Sequence, residues 1–385
     1  MDHEKFRHLI RNSSDLPESL AFLKDDELSF EEVGDGNLND VIRVARKRNP
    51  SKSVILKYAP PHIKILGPKY PLGTGRNYLE YRALSAFHNF CPGSVPRPFY
   101  CNKTENYAII EDLKGYRDLR KELIDGVFDV QAALRIADYT LKLHKHSHKC
   151  HLPSEEFSKM IEDFRNTEMV DITDQFIFKR PWLQDDPTNK YSLDVQEHLY
   201  LVYGNEELLQ NVKELQEKFL YQTECLLHGD LHTGSIMTSG GQAKIIDPEF
   251  AYVGPAAFDI GMLLANYVFS FYGHCYHPKE GALDFHKTVK TATLNTIKHY
   301  FDGMSSWMKE DQFTALVKET TGFAGCELLR RIIGTTRVPE LEGRPRAEVT
   351  CMRLGLDLII KHKQVKTVSA MVSSLEMDEN KKSSF

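Results

Sequence analysis

Paired cysteines are missing from this sequence. Its seven cysteines are scattered, odd in number, and none falls in a Cys-x-x-Cys pair. That pattern excludes a dense disulfide framework and a cysteine-held zinc site, and it fits a reducing compartment. An excess of one charge sign is missing too: 49 Lys and Arg against 54 Asp and Glu leave a net charge of −5. Such a balance implies no bulk attraction to nucleic acid or to an anionic membrane, so neither is expected as a partner. The opening residues Met1-Asp-His-Glu-Lys5 are polar and carry no apolar leader, so no signal peptide and a cytoplasmic location are expected. A clean membrane run is also lacking. The most apolar window, residues 256–273, contains Asp259 and Asn266 and has Pro255 ahead of it as a helix start, so it reads as a buried core helix. What is present, 41% hydrophobic and 27% charged residues over 385 positions, is a globular composition long enough for more than one lobe.

The stretch that organises the chain is Leu226-Leu-His-Gly-Asp-Leu-His-Thr-Gly-Ser-Ile-Met237. Seventeen residues after Asp230 comes a second acid, in Lys244-Ile-Ile-Asp-Pro-Glu-Phe250. Apolar pairs precede both acids, and Gly240-Gly241 between them is a turn signal. The pattern predicts a strand or loop carrying Asp230, a hairpin, and a strand ending at Asp247. Phosphoryl transfer needs two such carboxylates: one orients the attacking hydroxyl and accepts its proton, and the other holds magnesium on the nucleotide phosphates. Protein kinases use His-Arg-Asp, an Asn five residues on, and Asp-Phe-Gly. Here His228-Gly229-Asp230 stands for the first, Asp247-Pro248-Glu249 for the last, and position 235 is Ser.

Upstream, residues 31–44 read as strand, glycine turn (Gly34-x-Gly36) and strand, and Ser53-Val-Ile-Leu-Lys57 as a third strand. A Gly-rich hairpin lets backbone N–H groups approach phosphates, and a strand lysine can reach the α- and β-phosphates. Alone each feature is ordinary; their order ahead of the two acids raises Lys57 to a nucleotide ligand. Asn39 can reach a phosphate or stabilise the turn. Residues 60–78 read as a proline- and glycine-punctuated loop, with the pattern turning helical from Arg76, and Glu80 on that helix can pair with Lys57. Tyr107-Ala-Ile-Ile110 is a strand running into Glu111-Asp112-Leu113, a hinge whose backbone groups can meet an adenine edge. The lobe boundary falls there. The expected domains are 1–113, an N-terminal lobe capped by helical residues 1–28, and 114–375, a helical lobe, with 376–385 a polar, disordered tail.

In the second lobe Ala132, Ala133, Ile136, Ala137, Thr140, Leu141 and His144 recur at helical spacing. His144, His146, His148 and His151 alternate with lysines and read as a solvated helix end rather than a metal site. Residues 176–194, with Trp182, suit either a loop over a pocket or surface packing. Leu208, Val212, Leu215 and Phe219 define an amphipathic helix. Residues 251–255 read as a turn into the apolar helix, where Asp259 needs buried partners, best supplied by the backbone N–H groups of the loop at His228 to Asp230. Residues 323–334 form a helix closed by Gly334, and at least one of Arg330 and Arg331 faces a pocket able to hold hydroxyls or phosphate oxygens. A last helix is expected from Pro345 to about Ser373.

This order of motifs resembles the aminoglycoside-phosphotransferase and choline-kinase branch of the kinase-like fold, and within it the methylthioribose kinases. The matching residues are Val33-Gly-Asp-Gly-Asn-Leu-Asn39, Glu111-Asp-Leu113, His228 to Ile236 with Ser235, Asp247-Pro-Glu-Phe-Ala251, Gly254-Pro255, Phe258-Asp-Ile-Gly261 and Gly325-Cys-Glu-Leu-Leu-Arg-Arg-Ile-Ile-Gly334. Arg337 departs from the pattern. The resemblance implies an α+β, bilobal protein-kinase-like fold and an ATP-dependent kinase acting on the 1-hydroxyl of 5-methylthioribose in methionine salvage. It implies Asp230 as catalytic acid, Asp247 as a magnesium ligand with Glu249 as a second candidate, and Asn39, Lys57, Glu111, Asp112, Leu113 and the Asp247-Pro248-Glu249 turn as the ATP site. Arg330 and Arg331 would hold the sugar, Glu80, His228 and Asp259 would support the site, and a homodimer is implied. Two alternatives stand beside it: a related kinase of choline, an aminoglycoside or another sugar, and a catalytically inactive nucleotide-binding scaffold. Cationic acceptors call for an acid-lined site, and a scaffold predicts loss of Lys57, Asp230 or Asp247.

Overall fold

β-Branched and apolar residues at alternate positions build the first sheet. The structure, a computed structural model, describes residues 3–24, 27–33, 38–64 and 67–378. Ile42 and Val44, Val54 and Leu56, and Tyr107 and Ile109 each point to one side of their strand, and all are buried in one core. Their strands are β2 (Asp40–Arg46), β3 (Asn49–Tyr58) and β5 (Tyr107–Glu111), joined by β1 (Leu28–Glu32) and β4 (Pro98–Asn102). The order is β1-β2-β3-β5-β4, antiparallel throughout. Helix α1 (His3–Asn12) and a 3-10 turn at Glu18–Lys24 bring Phe6, Leu9, Ile10, Leu20, Phe22 and Leu23 into the same core, so the N-terminal segment caps the sheet. Helix α2 (Gly75–Phe90) follows the loop and buries Ala83, Leu84 and Phe87. The flanking strands of the glycine turn are in register, but Gly34 and Gly36 lie outside the described residues.

Contacts gather the chain into two units: Met1–Gly115 with Ile246–Ala251, and Tyr116–Ile245 with Tyr252–Phe385. The second is mainly helical. It runs β6 (Arg117–Asp118), α3 (Leu119–Asp125), α4 (Val130–His146), α5 (Ser154–Asp163), α6 (Thr167–Thr173), α7 (Leu193–Gln196) and α8 (Glu206–Tyr221). Asp118, Asp129 and Asn205 cap α3, α4 and α8 by accepting backbone N–H bonds. Next come β7 (Cys225–Leu227), the hairpin of β8 (Ile236–Ser239) and β9 (Gln242–Ile245), β10 (Tyr252–Gly254), α9 (Ala256–Tyr276), α10 (Phe285–Ser305), α11 (Glu310–Ile333), α12 (Pro345–Lys361) and α13 (Val368–Ser374). α9 is buried on every side from Ala256 to Cys275, which explains its unbroken apolar sequence. No helix among the described residues is long and apolar enough to cross a membrane. All seven cysteines are free.

Several expectations need correction. Residues 252–254 are not a turn but a strand paired with β7, because Tyr252 and Val253 have buried partners in Leu227 and Leu226. The last helix breaks between Lys361 and Val368, where a 3-10 turn intervenes. The histidine stretch is only half solvated. His144, on α4, and His148, just past its end, are buried, while His146 and His151 are exposed. Of the aromatics in residues 176–182, Phe178 and Trp182 pack inward: Phe178 lies against Phe219 and Phe323, and Trp182 Nε1 donates to the Ile177 carbonyl at 2.9 Å. The tail begins in contact with the helices, since Tyr272 Oη donates to the Glu376 carbonyl at 2.6 Å and Met377 is buried; residues 379–385 lie outside the described residues.

Candidate functional site

In the first unit the strand lysine is the centre. Lys57 sits near the end of β3 and is 3% exposed. Its Nζ donates to Glu80 Oε1 at 2.6 Å, the pairing anticipated from sequence, and also to Asp247 Oδ1. A buried ammonium is costly unless paired. Burial pulls the Lys57 pKa down, but Asp247, Glu80 and Glu249 outweigh it and hold the group charged. Asp247 lies in the left-handed region (φ 59°, ψ 47°) just before Pro248, which opens a single 3-10 turn at Pro248–Phe250. For a non-glycine residue this conformation costs about 1–2 kcal/mol, with aspartate among the residues that tolerate it. The turn buries Glu249, whose Oε2 accepts from Asn39 Nδ2 at 2.9 Å. Burial, with repulsion from Glu80 and Asp247 set against the attraction of Lys57, pushes the Glu249 carboxyl up to about 7.

Asn39 is buried. Its other amide end accepts from Arg76 Nε at 3.0 Å, so it links Glu249 to Arg76. Arg76 is buried and also donates to the carbonyls of Leu38, Pro60 and Gly73. Nothing in the sequence marked it, since a helix-start arginine is usually exposed. Asp112 spends its carboxylate on structure: Arg43 grips it through Nε at 2.9 Å and Nη2 at 3.2 Å, and Ser53 donates to it at 2.5 Å. Glu111 pairs with Val54 on β3 and its Oε2 accepts from the Arg97 backbone, which fixes the strand end that leads to Leu113.

The donor set at Asp247 and Glu249 is all carboxylate oxygen, which suits magnesium. Among the described residues no group of three or more His, Cys, Asp or Glu is placed to hold a metal ion by itself. Magnesium fits that too, because it is usually held by one or two carboxylates together with water and substrate phosphates.

In the second unit Asp230 follows Gly229, whose φ of 81° is a conformation that favours glycine. The loop is tied from behind by Asp259, fully buried on α9, which accepts His228 N–H at 2.7 Å and Gly229 N–H at 3.0 Å, as expected. His144 Nε2 lies 3.3 Å from the same carboxylate and its Nδ1 2.8 Å from Tyr300 Oη, so the histidine that read as solvated is part of this support. His228 is buried and its Nδ1 accepts the Asp230 N–H at 3.3 Å.

Around Asp230 the charge is mostly positive. Burial pushes its carboxyl up, but His232, Arg331 and Arg330 outweigh it and hold it well below the usual range. Arg330 and Arg331 are both buried near the end of α11, and both aim Nε at one carboxylate, Glu327, at 2.5 and 2.9 Å. Glu327 escaped the sequence reading, although its spacing of three and four residues puts it on the same helical face as the pair. Glu327 engages Nε of each arginine, which leaves their terminal nitrogens to meet oxygens of a ligand. Arg120, His232 and Glu340 were also missed. They come from α3, the catalytic run and a turn near residue 340, and no local pattern links them. Arg337 is accounted for separately: it donates to Glu348.

Residues 29–282 match the phosphotransferase enzyme family. Over 90% of the chain it is 30% identical to the methylthioribose kinase of Geobacillus sp. (strain WCH70), covering 89% of that protein. It is 34% identical to the methylthioribose kinase of Bacillus mycoides (strain KBAB4), over 85% of this chain and 86% of that one. Among solved structures, the choline kinase from Cryptosporidium parvum Iowa II superposes with a TM-score of 0.51 at 12% identity, over 94% of this chain and 96% of that one, a likeness of fold. The chain belongs to the phosphotransferase enzyme family and, within it, to the methylthioribose kinases.

Proposed function

We propose that this protein transfers the γ-phosphoryl group of ATP to the 1-hydroxyl of 5-methylthioribose, giving S-methyl-5-thioribose 1-phosphate in methionine salvage. The observation that carries the reading is identity of 30% or more to proteins of that activity along nearly the whole chain, with Lys57, Asp230 and Asp247 all in place. In this reading Asp230 accepts the hydrogen bond, and then the proton, of the 1-hydroxyl. The hydroxyl oxygen bonds to the γ-phosphorus as its bond to the bridging oxygen breaks and ADP leaves. Little covalent chemistry falls to the protein, so charge and position do the catalysis.

Lys57, locked by Glu80, is assigned to the ATP phosphates, and the backbone of Glu111 to Leu113 to the adenine. Asn39 serves this site by orienting Glu249. Asp247 and Glu249 in the Asp-Pro-Glu turn would hold magnesium, and the chemistry a bound magnesium ion supplies is neutralisation of phosphate charge. Arg330 and Arg331 are assigned to the sugar and to the charge that grows in the transition state. A cationic acceptor such as choline or an aminoglycoside would meet arginines here rather than the acids it requires, and a scaffold has no use for the intact set. A homodimer and a cytoplasmic location belong to the same proposal. The test is ADP release from MgATP with 5-methylthioribose, ribose, choline and kanamycin. Turnover with methylthioribose alone supports the reading, and turnover with choline or kanamycin in its place overturns the substrate.

A further inference from the structure

Within the second unit, Arg120, His232 and Asp230 form a line of contacts that the reaction as described does not use. Arg120 Nη2 lies 3.0 Å from His232 Nδ1. A guanidinium only donates, so Nδ1 accepts, and a neutral ring carries its proton on Nε2. That nitrogen stands 3.4 Å from Asp230 Oδ2. Ser235 adds to the same frame: its Oγ is 3.3 Å from His232 Nδ1 and donates to the Asp230 carbonyl at 3.1 Å. Burial first, and then the Arg120 charge, hold the imidazole below its ordinary pKa against the pull of Asp230, which keeps it neutral.

Arg120 is itself held. Its Nε lies 3.7 Å from Glu340 Oε1, and Thr233 Oγ1 donates to that oxygen at 3.5 Å. Gly234 makes the approach feasible: a Cβ there would stand 2.8 Å from Arg120 Cζ and 3.0 Å from His232 Cε1. The Asp230 side chain is 29% exposed, so packing alone does not fix its terminal torsion, which is broad for aspartate. A neutral N–H donor on one carboxylate oxygen supplies that constraint without giving the acid a proton.

We propose that His232, held in its Nε2–H tautomer by Arg120, is a positioning residue that fixes Asp230 Oδ2 and so presents the other carboxylate oxygen to the acceptor hydroxyl. The inference rests on the reading of Asp230 as the catalytic acid. It is tested by steady-state kinetics across pH, with thermal melts, on His232→Ala, His232→Gln, Gly234→Ala and Asp230→Asn. His232→Ala lowers kcat by about 10- to 100-fold, the scale of losing alignment of a reacting group. KM for ATP and the melting temperature hold. The acid limb of kcat/KM moves to higher pH, because the Asp230 carboxyl loses the His232 N–H that favours its ionised form. His232→Gln keeps an N–H donor and restores part of kcat. Gly234→Ala pushes the Arg120 guanidinium and the ring edge aside, and gives a smaller shift of the same limb in a folded protein. A His232→Ala enzyme with unchanged kcat and an unmoved acid limb, beside an inactive Asp230→Asn, overturns the inference alone. An equal loss in His232→Gln, with melting temperature falling in both, also overturns it. An active Asp230→Asn overturns the reading beneath it.

Discussion

Replacing Glu249 with Gln should make the ligand-free protein more stable at alkaline pH. Glu249 is buried, at 9% exposure, and its carboxyl stands at about 7 against an ordinary 4.5. Because the folded pKa is raised, the native state holds a proton that the unfolded chain has lost between pH 4.5 and about 7. Stability from this group is therefore full below pH 4.5, falls as pH rises through that window, and is lowest above 7. At 1.36 kcal/mol per unit, the shift corresponds to about 3 kcal/mol at its upper bound. Gln is neutral and nearly the same shape, and its carbonyl can still accept from Asn39 Nδ2. Glu249→Gln should match the parent near pH 4.5 and exceed it by about 1–3 kcal/mol at pH 8. Chemical denaturation at several pH values, without nucleotide or metal, reads this directly. Parallel stability curves for the two proteins, with no divergence between pH 4.5 and 8, would refute the reasoning.

Other outcomes follow from the same contacts. Lys57→Met removes the cation that three carboxylates share, and should cost about 3–5 kcal/mol in a melt as well as ATP binding by calorimetry; a stable variant that binds ATP normally would contradict the assignment. Asp259→Asn leaves one oxygen to accept and turns its NH2 toward the other of the two backbone donors, and should lower stability by about 1–3 kcal/mol, and kcat with it. Glu327→Gln leaves two buried guanidiniums short of an anion; the expected result is a raised KM for the sugar and an unchanged KM for ATP in initial-rate assays. Gly229→Ala forces a side chain into the left-handed region, at about 1–2 kcal/mol, visible as a lower melting temperature.

The sequence exposed the parts of this protein that obey local rules. Apolar, β-branched runs beside turn signals located β2, β3 and β5, helical spacing located α4 and α8, and a lone acid in an apolar helix led correctly from Asp259 to the N–H groups of His228 and Gly229. Polar groups whose role is set by distant partners were not legible. His144 belongs to the apolar face of α4 by spacing, yet its composition read as solvent, because its partners Asp259 and Tyr300 are 115 and 156 residues away. Arg76 and Arg120 gave no signal, since burial of an arginine depends on carbonyls and carboxylates assembled only by folding. Glu327 was legible by its offset from Arg330 and Arg331, an ordinary helix pairing overlooked beside a conspicuous arginine pair.

The central claim is that a phosphoryl group reaches the anomeric oxygen of a thiosugar with Asp230 as the acid that takes the proton. The most direct measurement is phosphorus NMR of the product formed from MgATP and 5-methylthioribose, by this protein and by its Asp230→Asn variant. The account predicts a sugar phosphate resonance split by the anomeric proton, growing with ADP, and absent with the variant. A phosphate coupled to a different ring proton, inorganic phosphate alone, or the same product from Asp230→Asn would contradict it.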